Sequence, residues 1–597
     1  MKRILMPVLF ILCVAQLPHF SAAAQPADAT VPVVNLLDIR NFNADERLTA
    51  LCLQGLANRS GPRVYLNTGP TVRWMQFDFD SNQDGRVWEK QAAEKLKKRY
   101  DSICDAWIDI LSSRGLYTFK PISMPQLLRE MKDQITGVIL YEKVDDDLAI
   151  AATMAGLRGA VPMTPKVYEV WGKVQGLNLP VTSDVRSLYA QYNPNQERRL
   201  EAHRWAVKHL FPDCTKTGVL SRDRTYGQDA HDTLIDVDLA VQNRWMVYDL
   251  NYLSTETKNH EDKPHPKYGF ELPDTALLKE ILGGLRPFSP VYGWGQPDEN
   301  NLVRRLTLEG NVLICTGTGN SSFYKQMPRI TPNLMLPHRR VESVTVEDKV
   351  YVAFMVNEGD SLKYLASLGT FGCWLQPQRG KIPINWGMDP LLYREFPGLV
   401  SYFLATATPN DYFFAATSGW GYAHPERLSN ERLESYAKLV QEGGRLSGLE
   451  YIDVWWDGGL RSRGAFFPFL KTTGMRGRTL WDDHQEIEYA PDGTPIIHSN
   501  HYYTLAEPDR FAEGLVKAMT AVRPPWFVIV YGAKGTGSPH KFYKVARRLP
   551  AERFKVVRLD ELFEAARSAR TLVGGRRWQP NQDVKTVAPG AGEAPVP

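Results

Sequence analysis

The feature that most constrains this chain is the rhythm of its C-terminal part. Short β-rich runs recur there at Val350–Asn357, Pro383–Trp386, Asp411–Ala416, Tyr451–Trp456, Pro495–His498, Trp526–Tyr531 and Phe554–Leu559. Helix-like stretches lie between most of them, at Ser361–Leu368, Leu391–Phe396, Asn430–Gln441, Pro508–Val522 and His540–Arg548. Seven strands, with room for an eighth, in about 215 residues are the count and size of a (β/α) barrel. An open doubly wound sheet is the alternative that the same alternation permits.

Before this region the pattern is mixed α/β. Strand-like runs (Val31–Leu37, Arg63–Leu66, Gly137–Tyr141, Asn311–Cys315) alternate with helix-like periods at Ala44–Leu56, Leu200–Leu210 and Thr275–Leu285. In the first of these helices, Leu48, Leu51, Cys52 and Leu56 share one face. Residues 255–273 are polar and rich in Pro, as an exposed loop would be, and residues 328–342 carry three prolines and a basic cluster, as a linker would. The expected organisation is an N-terminal α/β region over 30–340, with room for two subdomains, and a barrel-like domain over 348–568. The tail 579–597, rich in Pro, Gly and Ala, is expected to be disordered.

The first 24 residues read as a targeting segment. Lys2-Arg3 is followed by the apolar run Ile4–Val14 and by the small residues Ser21–Ala24. That is the layout of a secretory signal peptide, and it predicts a bacterial protein delivered to the periplasm or the extracellular space. The apolar run is too short to span a bilayer, and no later run is long enough. Five cysteines follow the leader, at 52, 104, 214, 315 and 373, without a C-x-x-C pair. They read as small buried hydrophobes rather than as a redox or zinc motif. With 71 basic against 67 acidic residues the charge is nearly balanced, so a nucleic-acid partner is not expected.

In a (β/α) barrel the chemistry gathers where the strands end. The residues that follow the predicted strands are Asn357-Glu358-Gly359-Asp360, Asn385-Trp386-Gly387-Met388-Asp389, Ser418–Pro425, Trp455-Trp456-Asp457, His498-Ser499-Asn500-His501, Tyr531-Gly532-Ala533-Lys534 and Arg558-Leu559-Asp560. Carboxylates, Trp, His and Gly collect there. Strand alternation also places Asp453, Trp455 and Asp457 on one face of the Tyr451–Trp456 run. A buried Asp453 would need a partner.

Gly419-Trp420-Gly421-Tyr422-Ala423-His424-Pro425 resembles the motif for which the GxGYxYP family is named, with His424 at the position of the second Tyr. Leu53-Gln54-Gly55-Leu56-Ala57-Asn58-Arg59 is similar to that family's early LQGxxNR segment, and Glu358-Gly359-Asp360-Ser361 to its Asp-Gly-Asp-Asn loop. The resemblance implies exported proteins of glycoside-hydrolase type, with an N-terminal α/β region and a C-terminal catalytic-type domain. Such chemistry needs two carboxyl groups flanking the scissile bond, one as acid and one as nucleophile or base. Asp360, Asp457 and Glu358 are the expected catalytic set. Trp420, Tyr422, His424, Trp386, Trp455, His501 and Lys534 are the expected carbohydrate-binding set, with no cofactor and no metal. Each also has a plainer reading. Asp360 could cap the following helix, and the Gly-Trp-Gly-Tyr loop could be a tight turn with packed aromatics.

Two rival functions use the same scaffold. One is a carbohydrate-binding protein without catalysis. The other is an exported metal-dependent deacetylase, which would draw ligands from Asp482, Asp483, His484 or His501. Asp80-x-Asn82-x-Asp84-Gly85 matches the start of a calcium loop, but Gln91 stands where its closing Glu belongs. The Gly532–Ser538 segment lacks the order of a phosphate-binding loop.

Overall fold

The computed structural model describes residues 31–570, apart from 70–101, 143, 175–176, 189–197, 223–235, 251–272, 296–298, 318, 332–333, 335, 337–340, 358–360, 367–372, 457–461, 482–486, 502–507 and 533–537. The expected leader, the half calcium loop, nearly all of the polar 255–273 stretch, Asp482–His484 and the tail lie outside the described residues.

Three small parallel sheets build the N-terminal half. Val33–Asp38 (β1), Val64–Asn67 (β2) and Thr118–Ile122 (β3) run in the order β2-β1-β3. Val138–Leu140 (β4), Val161–Met163 (β5) and Val181–Asp184 (β6) run in the order β5-β4-β6. Val219–Ser221 (β7), Met246–Tyr248 (β8), Pro290–Gly293 (β9) and Val312–Ile314 (β10) run in the order β10-β9-β7-β8.

The helix Ala44–Ala57 starts in a capping box between Asn43 and Glu46. It carries the LQGxxNR segment, whose side chains act as fasteners. Gln54 donates to the Val64 carbonyl at 3.2 Å and to Asn320 Oδ1 at 2.6 Å. Asn58 accepts from the Arg63 and Val64 amides at 2.9 Å and donates to Ser322 Oγ at 3.0 Å. Arg59 reaches the Val241 carbonyl at 2.9 Å. Gly55 is required because a Cβ there would lie 2.4 Å from the Asp238 carbonyl oxygen. Near this hub two carboxyls are buried side by side. Burial and then the neighbouring Asp238 push Asp236 up to about 7, and Asp238 is raised too.

The C-terminal half is one curled sheet. Its strands are Val350–Val356 (β11), Ile384–Met388 (β12), Asp411–Ala415 (β13), Tyr451–Val454 (β14), Gly477–Trp481 (β15), Ile487–Tyr489 (β16), Pro495–His501 (β17), Trp526–Gly532 (β18) and Phe554–Val556 (β19). Eight are parallel, in the order β12-β13-β14-β15-β17-β18-β11-β19, and β16 is an antiparallel flap on β17. The end of β11 returns to pair with β12 at Met355↔Asn385 and Val356↔Trp386, so the sheet curls round on itself. At the other end β19 holds β11 through Val350↔Phe554 to Val352↔Val556. Asn385 bridges the seam, donating to the Phe354 carbonyl at 2.8 Å and accepting from the Leu559 amide at 2.6 Å.

Alternation sorts the strand residues. Tyr351, Ala353 and Met355 of β11, Tyr412 and Phe414 of β13, Tyr451 of β14, Ile497 of β17, and Phe527, Ile529 and Tyr531 of β18 form one inner cluster. Leu562, Phe563 and Ala566 of the helix Leu559–Ser568 close that cluster at the end where the strands begin; Phe563 stacks on Tyr451 with centroids 5.0 Å apart. The alternate residues face a jacket of helices. One of these, Asn430–Ser447, is capped by Ser429 and stopped by Gly448 at φ +74°. It buries Leu433, Tyr436, Ala437 and Val440 at helical spacing. The predicted strand run to Leu559 stops at Val556, because Leu559 already opens the closing helix. Two strands that the sequence reading did not foresee, β15 and β16, complete the sheet. Cys52, Cys104, Cys214, Cys315 and Cys373 are buried free thiols. Among the described residues no helix is long and apolar enough to cross a membrane.

Candidate active site

The inner face of the sheet changes character toward the strand ends. Below it is aromatic and aliphatic. At the upper end it becomes small and polar, with Gly387 on β12, Ala416 after β13, Asp453 on β14, Thr479 on β15 and Asn357 just after β11. Asp453 is 1% exposed. Asn357 Nδ2 and Trp455 Nε1 both donate to its Oδ2, the second at 3.2 Å, and the Thr479 hydroxyl donates to its Oδ1.

The bond from Asn357 runs between β11 and β14, which are not neighbours in the sheet; β12 and β13 stand between them. It is possible because at this level the chain between them presents only Gly387 and Ala416 inward. A Cβ on Gly387 would lie 2.5 Å from Asn357 Oδ1 and 2.9 Å from the Ala416 Cβ. The Tyr531 hydroxyl fixes Asn357 from the other side by donating to its carbonyl at 3.0 Å. Burial pushes the Asp453 carboxyl up, the Thr479, Trp455 and Asn357 donors and the Arg478 charge pull it back, and the balance is about 6. A carboxyl in that state holds a proton in mild acid and releases it near neutrality.

The loop after β13 wraps over this group. Ser418 adopts a left-handed conformation at φ +67°. Its amide donates to the Asp453 carbonyl at 2.8 Å, and its hydroxyl accepts from the Trp455 amide at 3.1 Å while donating to the Ala423 carbonyl at 2.7 Å. The Tyr436 hydroxyl bonds the Ser418 and Trp420 carbonyls at 3.0 and 3.2 Å. Gly421 is needed twice over. Its φ is +65°, and a Cβ would lie 2.4 Å from Val312 Cγ2.

The sequence-predicted residues divide into three groups. Trp455 lies on Asp453. Trp386, Trp420, Tyr422 and His424 are buried. Trp386 faces away from the inner cluster, with its indole N–H on Asp411 Oδ1 at 2.9 Å and its ring edge-to-face with Trp374. The Trp420 ring is covered by the Arg394 guanidinium at 4.7 Å and lies against Gly443. These two rings were expected to offer open faces to a sugar; both faces are filled by the protein's own side chains, because each Trp completes the packing between a strand end and a helix. His424 sits 3.4 Å from Glu426 Oε1, with its amide on Thr307 Oγ1 at 3.1 Å. Glu358, Asp360, Asp457 and Lys534 lie outside the described residues, as does the side chain of His501, whose backbone pairs with Tyr531 in the sheet. Asn357, Gly387 and Ser418 stood among the expected strand-end residues without being assigned a role, and Thr479 was not foreseen at all. Among the described residues no group of three His, Cys, Asp or Glu could hold a metal ion.

Family models now place the chain. Residues 33–102 match the first domain of GxGYxYP_N and 135–215 match its second domain. Residues 348–567 match the "GxGYxYP putative glycoside hydrolase C-terminal domain". The chain belongs to the GxGYxYP family. A crystal structure described as a "putative hydrolase" from Bacteroides thetaiotaomicron VPI-5482 is similar in fold, with a TM-score of 0.68 at 16% identity. The likeness covers 90% of this chain and 95% of that one, and it speaks for the fold alone. No curated protein matches the chain. In this GxGYxYP protein the namesake loop is a packed joint over a buried carboxyl, with Leu313 of β10 paired to Tyr422.

Proposed function

We propose that this GxGYxYP protein is an exported glycosidase that cleaves a poly- or oligosaccharide with a carboxyl pair at the barrel mouth. The observation that supports it best is the hydrogen bond between Asn357 and Asp453. Asn357 immediately precedes Glu358 and Asp360, and Asp453 precedes Asp457 by four residues. The bond therefore ties the two strand ends that lead into the candidate carboxylates. A glycosidase depends on such a fixed separation: about 5 Å between carboxyl groups suits retention, and roughly 6.5–9.5 Å suits inversion.

In this reading two of Asp360, Asp457 and Glu358 protonate the leaving oxygen and attack or activate water. Asp453, buried and met by three side-chain donors, holds the strand ends in place. Removing either reacting carboxyl acts in the transition state and costs orders of magnitude in turnover. The leader Met1–Ala24 supports delivery to the periplasm or beyond. Secreted protein beginning near Gln25 would be its direct sign.

The test is reducing-end release across a panel of polysaccharides. Asp457→Asn and Asp360→Asn are each expected to abolish release with folding intact by circular dichroism. Activity that persists in both variants refutes the assignment. Acetate release from acetylated polysaccharide, without reducing ends, that is lost to a chelator and restored by metal would instead support the deacetylase. A wild type that binds polysaccharide without turnover would support a binding protein.

A further inference from the structure

We infer that Tyr422 is a positioning residue for Asp453: anchored on a strand of the N-terminal region, it sets the Trp455 ring whose N–H is held on the Asp453 carboxyl. The anchoring comes from the backbone. Leu313 and Tyr422 exchange both hydrogen bonds of an antiparallel bridge, at 3.0 Å and 2.9 Å. On one side of that bridge Gly421 lies on Val312, and on the other His424 donates to Thr307 Oγ1. Tyr422 thus belongs in sequence to the barrel and in pairing to the β10 edge of the N-terminal sheet.

Its ring is fully buried and meets the Trp455 ring edge-to-face, with centroids 5.0 Å apart and planes at 83°. Trp455 has its backbone amide held by Ser418 Oγ, and the Tyr422 edge packs against its ring. The indole N–H then lies 3.2 Å from Asp453 Oδ2. The other groups on that carboxyl come from separate elements. Asn357 approaches from the end of β11, where Tyr531 of β18 steadies it, and Thr479 and the Arg478 charge come from β15. The Tyr422–Trp455 route links that carboxyl to the N-terminal region in two contacts, the ring pair and the bridge to Leu313. Docking of the N-terminal region is thereby felt at the barrel's inner carboxyl.

The inference rests on the glycosidase reading only for its consequence in turnover. The test needs no substrate. Protein labelled with 15N-tryptophan is titrated by NMR, and the Trp455 indole resonance is assigned by its loss in Trp455→Phe. In the wild type that resonance is expected to inflect as Asp453 titrates, and the inflection should vanish in Asp453→Asn. Tyr422→Leu keeps the backbone bridge and removes the ring edge. It is expected to lose the inflection, and Tyr422→Phe to retain it. Should Tyr422→Leu not fold, Tyr422→Met carries the same expectation. An inflection unchanged in the Leu or Met variant overturns the inference. A wild type that shows the inflection but cleaves no glycoside ends the glycosidase reading and leaves this one standing.

Discussion

Asp453→Asn turns a buried proton into a measurable slope. Burial is the largest influence on this carboxyl and carries it from an ordinary 3.8 to about 6. Between those two values the folded protein binds a proton that the unfolded chain does not. The contribution to stability is therefore complete below the unfolded value and is lost as pH rises through about 6. A shift of about two units at roughly 1.4 kcal/mol per unit gives about 3 kcal/mol. Asn cannot titrate, so the variant escapes this loss whatever constant offset its altered hydrogen bonds introduce. The assay is urea unfolding of both proteins at half-unit steps from about pH 3.5 to about pH 7.5. The difference in unfolding free energy should drift by about 3 kcal/mol in favour of Asn across that window. Asp236, raised to about 7, is present in both proteins and cancels. A difference that stays flat with pH would show that Asp453 titrates in the fold as it does in the unfolded chain, and the account of a proton-holding carboxyl beneath the barrel mouth would fail.

Two further outcomes follow from the packing. Gly387→Ala places a methyl against Asn357 Oδ1 and the Ala416 side chain; it should cost about 1–3 kcal/mol in urea unfolding and, in an active enzyme, lower kcat more than it raises KM, because the bond between strand ends is displaced. Asn58→Ala strips partners from the Arg63 and Val64 amides and from Ser322, all inside the N-terminal half; a loss of about 3 kcal/mol is expected in the same assay, and a loss below about 0.5 kcal/mol would show that the LQGxxNR side chains do not fasten the fold.

The barrel was legible because β11, β13 and β18 are buried on both faces and so read as apolar runs flanked by helices. The strand Gly477–Trp481 was not, and its residues show why. Gly477 is held small by the Phe563 ring, which a Cβ would approach to 2.5 Å, and Thr479 faces Asp453. Arg478 takes the outer face, buried with its guanidinium 3.5 Å from the Phe466 ring centroid. A strand that begins with a glycine pressed on a ring, a caged arginine and a threonine on a carboxyl has no hydrophobic alternation to detect. The candidate site divides the same way. Alternation put Asp453 and Trp455 on one face before any coordinates. The partner Asn357 is 96 positions away in sequence, and the bond depends on two small residues on the strands between. Glycine beside an aromatic ring describes a sugar platform and a packed turn equally well, so Trp386 and Trp420 could not be assigned from sequence; their covered faces are a matter of what the neighbouring helices bring.

Two of the segments that carry the family resemblance, Leu53–Arg59 and Gly419–Pro425, lie about 360 residues apart, yet both act on the same short stretch of chain. Tyr422 of the namesake loop pairs with Leu313 on β10, and the Lys363 amide donates to the Cys315 carbonyl just beyond it. A few residues later Asn320, left-handed at φ +57°, exchanges hydrogen bonds with Leu66 and accepts from Gln54, while Ser322 is taken by Asn58 and Gln242. The barrel thus grips the start of this stretch and the LQGxxNR helix grips its end. Backbone groups and buried amides make both grips, so each depends on complete satisfaction of its partners rather than on exposed charge. This arrangement gives a physical reason for a chain of this kind to carry two distant signatures together: each is half of one clasp, and the joined halves hold the N-terminal sheets against the loop that covers Asp453.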